Sequence, residues 1–347
     1  MKVVNDIICA LDNKEYSAAV FVDLSKAFDS VDHPILLERL RNIGLSETCV
    51  SWFSSYCSGC LQTIRMEGLL SAPLPLHKGV PQGSILGPTL FNININNITH
   101  AVYNAHIHLY ADDTIVYTSG PSLNDALSNL QTAFSNIQHA FSDLLLSLNT
   151  KKTKRMIFNK NLPQIQSPIN IISLDGSIID FVNNYKYLGI WLDPCLSFET
   201  HINSLLTTVK NRIGFLYRNR SSFTRSAKHL LVKMTVLPIF DYGDMLYRST
   251  SKSLLHKLDT IYHTAIHFVT DAPFTTHHCT LYSLVNWPSL HSRRQTHWYL
   301  FIYKTIIGLT PAYLRSLLIT RHISRSLRNS NLIHLLIPKA CTVFGRY

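Results

Sequence analysis

Lys78-Gly79-Val80-Pro81-Gln82-Gly83-Ser84-Ile85-Leu86-Gly87-Pro88 is the stretch on which the reading of this chain turns. Three glycines and two prolines in eleven residues make a shaped loop, not a helix or a strand. Backbone stripped of side chains can come close to a ligand there. A strand-like segment carrying acid lies on each side of it. Upstream, Ala18-Ala19-Val20-Phe21-Val22-Asp23 reads as a buried strand closed by a carboxylate. Downstream, His106 to Tyr117 alternates around Asp112-Asp113, the pattern of a hairpin with two acids at its bend.

Working outward, Asp32-His33-Pro34 supplies a cap and a first-turn proline for a helix with Leu36, Leu40 and Ile43 on one face, stopped by Gly44. Residues 46–57 read as helix and 61–67 as strand. Leu123, Leu127, Leu130, Phe134, Ile137, Phe141, Leu144 and Leu148 recur at steps of four and three. That spacing fits a coiled coil, but a helix over 122–148 laid along a sheet with its apolar seam buried explains it equally well and more simply, and is the expectation. Strand-like pieces follow at 155–159, 171–181 and 186–192. After Glu199 the pattern is helical and basic, with breaks near Pro238, Pro273, Pro288 and Pro311.

The 347 residues, 46% hydrophobic, suffice for two or three lobes. No apolar run reaches the ~20 residues of a membrane span, and no leader pattern opens the chain, so the expected setting is intracellular, without a membrane partner. Seven scattered cysteines make no disulfide framework. Cys57 and Cys60 read as ordinary thiols beside a Ser58-Gly59 turn. His277-His278-Cys279, with His263 and His267 upstream, has the chemistry for zinc, but among 17 histidines such clusters arise by chance.

The net charge of +11 is unevenly spread. Residues 200–240 hold no acid and seven basic side chains: Lys210, Arg212, Arg218, Arg220, Arg225, Lys228 and Lys233. Residues 272–347 hold no acid and nine basics, so these windows carry +16 and the rest of the chain −5. A basic half beside an acidic one is what a polyanion-binding lobe attached to a carboxylate-rich site looks like. Asp23 with Asp112-Asp113 could hold two Mg²⁺ ions about 3.5–4 Å apart for phosphoryl transfer. Taken singly, Asp-Asp is also a common turn element, and an Asp after a strand often caps a helix.

Phe21-Val-Asp-Leu-Ser-Lys-Ala-Phe-Asp29, Gly79-Val-Pro-Gln-Gly-Ser-Ile-Leu-Gly-Pro88 and Tyr110-Ala-Asp-Asp113 resemble, in order, the first three palm motifs of reverse transcriptases. Leu148-Asn-Thr-Lys-Lys-Thr153 and Tyr187-Leu-Gly189 are similar to the fourth and fifth. The wording is that of non-LTR, LINE-type retrotransposon polymerases. The resemblance implies an α+β fold: a right-hand polymerase palm with a C-terminal helical thumb-like region. It divides the chain into a lead-in or residual fingers (1–17), the palm (18–195), a basic helical thumb (196–270) and a basic helical C-terminal region (271–347).

It also implies roles. Asp23, Asp112 and Asp113 would ligate two Mg²⁺ ions, with Mn²⁺ able to substitute, and Leu24 would add its backbone carbonyl. Asp23 is then expected within a few ångströms of Asp112. Ser25 and Lys26 would offer backbone amides to a triphosphate. Phe28 would exclude a ribose 2′-hydroxyl, although an apolar residue after a strand is usually core. Gln82 and Gly83 would shape the pocket beside the incoming base, and Lys152 would lie near the leaving pyrophosphate. Tyr187, Leu188 and Gly189 would grip the primer end. Lys210, Arg212, Arg218, Arg220, Arg225 and Lys228 would follow the nucleic-acid backbone. The implied partners are an RNA template, a DNA primer and dNTPs, in nucleus or cytoplasm; the oligomeric state is not readable.

Two departures stand out. Asn94 and Asn97 replace the Tyr and Asp usual to the family. Only 22 residues precede Asp23, where the family has a basic fingers region, so an N-terminally truncated chain is expected. The leading expectation is an RNA-directed DNA polymerase core, weak in catalysis for want of the fingers' cations. The alternative is a catalytically inactive nucleic-acid-binding remnant. A nucleotide cyclase on a similar palm would lack the Gly-Val-Pro-Gln-Gly loop.

Overall fold

The computed structural model describes residues 1–159, 169–248, 250–318 and 335. The rest of the C-terminal region, with five of its basic residues, lies outside them. Two compact units are formed: residues 14–188, and residues 1–13 with the described residues from Gly189 on. The division falls between Leu188 and Gly189, both at positive φ (46° and 81°), rather than near residue 195.

In the 14–188 unit, β1 (Tyr16–Val22) is followed by a 3-10 turn, α2 (His33–Asn42) and α3 (Glu47–Cys57). The expected strand over 61–67 is instead broken into β2 (Leu61–Gln62) and β3 (Arg65–Met66), which pair respectively with β5 (Leu74–Pro75) and β4 (Leu69–Leu70). Its apolar side chains, Leu61, Ile64 and Met66, are all exposed, so no buried face holds a longer strand together. Then come α4 (Gly87–Ile95), β6 (His106–Tyr110), β7 (Asp113–Gly120), α5 (Leu123–Asp143), β8 (Lys154–Phe158), β9 (Asp180–Phe181) and β10 (Tyr185–Tyr187).

The main sheet runs β6-β7-β1-β8-β9. All its pairs are antiparallel except β8 with β9. Strand β1 is central and buried on both faces, and the pleat sorts its residues by period two. Ala18, Val20 and Val22 join the core cluster with Leu127, Leu130, Phe134, Ile137 and Phe141 of α5. Those five side chains are at most 1% exposed, and burying each contributes about 1.5–3 kcal/mol. The predicted seam is therefore buried against the sheet.

Helix α5 ends five residues short of the expectation. Leu145 adopts left-handed φ (55°), Leu146 N–H bonds back to Phe141 O and Leu145 N–H to Ser142 O. This is a Schellman stop without its usual glycine. It turns Ser147 and Leu148 alongside β1, where Leu148 bridges Leu24.

The other unit contains α1 (Lys2–Asp12), β11 (Ile190–Leu192), α6 (Glu199–Arg218), α7 (Arg225–Thr235), α8 (Leu237–Asp241), α9 (Lys252–Thr270), α10 (His278–Val285), α11 (Leu290–Ile306) and α12 (Ala312–Arg315). Helix α9 is its centre: Leu258, Tyr262, Ala265 and Ile266 are fully buried, and α6, α7 and α10 pack on it. No described helix is long and apolar enough to cross a membrane.

Candidate active site

The sheet register builds the site. Val22 pairs with Thr114, so Asp23 and Asp113 are neighbours one step further along the same two strands. The pleat puts them on the face of Phe21, opposite α5. Asp113 begins β7 opposite Tyr110, and Ala111-Asp112 form the two-residue turn, with Ala111 at φ 52°. The expected hairpin is present, but the register makes Asp113 rather than Asp112 the cross-strand neighbour of Asp23. Burial, and after it the charges of Asp112 and Asp23, push the Asp113 carboxyl above the usual carboxylate range.

Asp23 is clamped through its backbone by the segment that the early end of α5 brings back. Its N–H donates to Thr153 Oγ1 (3.1 Å) and its carbonyl accepts from Asn149 N–H (2.9 Å). Thr153 is fully buried. The same segment takes up the Ser25 amide, which donates to Ser147 O at 2.8 Å. That corrects one expectation: Ser25 N–H is engaged inside the protein. Lys26 sits at φ 49° in the turn, and Lys152 is exposed in the 149–153 turn.

The glycine loop is pinned to the turn after β1. Gly79 N–H donates to Val31 O (2.7 Å) and Val80 N–H to Phe28 O (2.9 Å). Gln82 Nε2 donates to Asp29 Oδ1 (2.8 Å), and His33 Nε2 meets Gly79 O (2.8 Å). Gly79 has φ +90°, and a Cβ there would lie 2.9 Å from Asp29 backbone, so the close approach requires glycine. Gly83, at φ +80°, stands in open space. Lys26, Asp29, His33, Lys78 and Gln82 border a cavity of about 600 Å³ beside this loop. Phe28 stacks on the buried Phe91 (4.5 Å between centroids) and is half-buried, so its ring has one fixed side and one free.

Tyr187 OH meets His108 Nδ1 at 3.1 Å. Sequence reasoning missed Tyr185, whose ring stacks on Phe21 at 4.0 Å. Burial, and after it the charges of Asp113 and Asp23, raise its phenol above the usual tyrosine range. The Tyr-Lys-Tyr alternation before Leu188 was the available signal. Asn94 is fully buried on α4, and neither side-chain atom finds a partner among the described residues. Such an orphaned amide costs about 1–3 kcal/mol.

The basic helices need a second correction. Lys228, expected on a phosphate, is 5% exposed, paired with Asp271 at 2.6 Å and seated over Phe268. Its position on the α9-facing side of α7 gives it a protein partner instead. Lys210, Arg212, Arg218, Arg220 and Arg225 are exposed, Arg212 also donating to Thr235 O.

Three carboxylates and a carbonyl are hard oxygen donors suited to a divalent ion such as Mg²⁺. The raised Asp113 carboxyl fits, because a cation relieves like-charge repulsion. Among the described residues, three candidate ligands come within 4.8 Å of one another at His277–His278–Cys279 and at Asp241–Asp244–His297. The Asp23, Asp112 and Asp113 carboxylates are adjacent but not drawn that tightly together.

The family model described as reverse transcriptase (RNA-dependent DNA polymerase) matches residues 2–192. A probable RNA-directed DNA polymerase from transposon BS of Drosophila melanogaster is 28% identical over 307 residues, covering 85% of this chain and 33% of that protein. The RNA-directed DNA polymerase from mobile element jockey of Drosophila funebris is 30% identical over 283 residues, covering 79% and 30%. The chain thus spans about a third of the length of these curated relatives. Among solved structures, telomerase from Candida albicans in complex with a TWJ fragment of telomeric RNA aligns at a TM-score of 0.43 and 13% identity, over 82% of this chain and 53% of that one.

Proposed function

The chain belongs to the reverse transcriptase (RNA-dependent DNA polymerase) family, in its non-LTR retrotransposon branch, and on that footing we propose that it is an RNA-directed DNA polymerase core. It extends a DNA primer on an RNA template with dNTPs. The observation that carries this reading is the register setting Asp23 beside Asp113, with Asp112 in the adjoining turn.

Asp23, Asp112 and Asp113, with the Leu24 carbonyl, would hold two Mg²⁺ ions, whose chemistry there would be to neutralise the charge that develops during phosphoryl transfer. The residues around them position the reactants. Thr153 and Asn149 fix the Asp23 backbone, so its carboxylate does not wander. Lys26 and Lys78 give the cavity beside the glycine loop a positive border for a triphosphate. Gln82, held by Asp29, and Gly83 form the wall beside the base. Phe28, braced by Phe91, presents an edge that a ribose 2′-hydroxyl would meet. Lys152, exposed in the 149–153 turn, supplies a cation for the departing pyrophosphate. Tyr187, oriented by His108, with Leu188 and Gly189, steadies the primer end. Lys210, Arg212, Arg218, Arg220 and Arg225 lie along the duplex backbone.

Positioning and charge neutralisation are most of what phosphoryl transfer asks of a protein. The test is template-dependent dTTP incorporation on poly(rA)/oligo(dT) by purified protein with Mg²⁺. Loss in an Asp112→Asn, Asp113→Asn variant supports the reading. Salt-sensitive binding without incorporation would make the chain a nucleic-acid-binding protein only.

A further inference from the structure

Four histidines from two segments surround one cavity in the helical unit. His263 and His267 stand one turn apart on α9, while His277 caps α10 and His278 opens it. All four line a cavity of about 450 Å³ together with Phe274 and Leu281, and no charged side chain lines it. Ligand atoms of His277, His278 and the adjacent Cys279 lie within 4.8 Å of one another. The His263 ring lies 6.0 Å from that of His278, nearly parallel to it. Seventeen histidines make a His-His pair in the sequence unsurprising. Convergence of two helices' histidines on one cavity, next to a thiol, is a separate observation.

Hydrogen bonds decide which donor atoms are left over. His277 Nδ1 accepts the Cys279 amide (3.3 Å), so its Nε2 is left. His263 Nε2 is taken by Tyr282 OH (2.7 Å), leaving Nδ1. His267 donates through Nδ1 to Ala272 O (3.1 Å), so its Nε2 is left. His278 has no hydrogen-bond partner among the described residues. Each ring therefore keeps a nitrogen able to bind metal.

We propose that this cluster is a binding site for a borderline-soft divalent ion of the zinc class, held by His277, His278, Cys279 and His263. Imidazole and thiolate donors without carboxylates favour Zn²⁺ over Mg²⁺. Tetrahedral coordination at Zn–N of about 2.0–2.1 Å draws the donors together by on the order of 1–2 Å, and the exposed first turn of α10 can move that far. The Cys279 proton leaves to solvent on binding. His267 lines the same cavity, with its Nδ1 bonded to Ala272 O. The ion would staple α10 to α9, in the unit that does not contain the carboxylates of the polymerase site.

Co²⁺ titrated into the purified full chain tests this, because cobalt reports its ligands by absorption. The expected result is one tightly bound ion per chain, tetrahedral d–d absorption, a thiolate-to-cobalt charge-transfer band, and displacement of both signals by Zn²⁺. Cys279→Ser abolishes the charge-transfer band, and His278→Ala weakens binding by more than the roughly 10–100-fold that even outer partners of a metal site cost. Both residues are exposed, so neither change disturbs the core. A double Cys57→Ser, Cys60→Ser variant keeps every signal. The proposal is overturned by absence of the charge-transfer band, or by a band that survives Cys279→Ser. The all-oxygen polymerase site gives no such band, so the outcome is independent of polymerase activity.

Discussion

Asp23 and Asp113 stand side by side at the ends of β1 and β7, one step beyond the Val22–Thr114 pair. The Asp113 carboxyl is raised by burial and by its two acidic neighbours. The folded chain therefore holds that proton more tightly than the unfolded chain does. The associated stability is present at low pH and is lost as pH rises through the raised value. At neutral pH without metal, Asp113→Asn should raise the melting temperature, by a small amount because the residue is only partly shielded and solvent still screens its charge. Mg²⁺ should stabilise the unmodified chain and do little for the variant. Melts in EDTA and in Mg²⁺, from about pH 4 to about pH 8, check both signs. A variant that melts lower in EDTA would contradict the repulsion.

Thr153 should matter through Asp23. Thr153→Val leaves the Asp23 amide without its acceptor and costs about 1–2 kcal/mol of stability. Incorporation should slow in kcat with little change in KM for template, and Thr153→Ser should restore it. Equal damage from both variants would point to packing alone.

The glycine loop offers a paired comparison. Gly79→Ala drives a Cβ into Asp29 backbone at 2.9 Å and adds left-handed strain, so it should cost upwards of about 2 kcal/mol. Gly83→Ala meets open space and carries only the strain, about 1–2 kcal/mol. Chemical denaturation of the two variants would reveal the order, and a reversed order would show that the loop is not held against Asp29.

The parts of the fold legible in the sequence were those with a plain hydrophobic pattern. The β1 run is apolar without a break, the 106–117 segment alternates and the α5 seam repeats every three or four residues, and each element is present. The end of α5 was not legible, because Leu144 and Leu148 continue the spacing while Leu145 takes a conformation usually left to glycine. That same turn brings Thr153 to Asp23, so the support of the site was hidden along with it. The partner of Lys228 was hidden for a different reason. Asp271 lies 43 residues away, at the C-cap of α9, and a window free of acids cannot show an acid that folds back onto it.

Salt dependence separates the basic residues. Arg218→Gln and Arg220→Gln should each reduce the slope of log affinity against log salt for primed template by about 0.7–0.9. Lys228→Met should leave the slope unchanged, since its charge is spent on Asp271. A slope that falls with Lys228→Met would return that residue to the nucleic acid.

The central claim is that Asp23, Asp112 and Asp113 form one nucleotidyl-transfer site. Single-turnover incorporation of dTTP on poly(rA)/oligo(dT), with Mg²⁺, should be compared for the unmodified chain and for Asp23→Asn, Asp112→Asn and Asp113→Asn, at template concentrations that saturate binding. The account predicts incorporation, however slow, by the unmodified chain, dependence on Mg²⁺, and loss of at least about 10³-fold in each variant with template binding intact. Incorporation that survives any of the three substitutions, or none by the unmodified chain under saturating template, would contradict it.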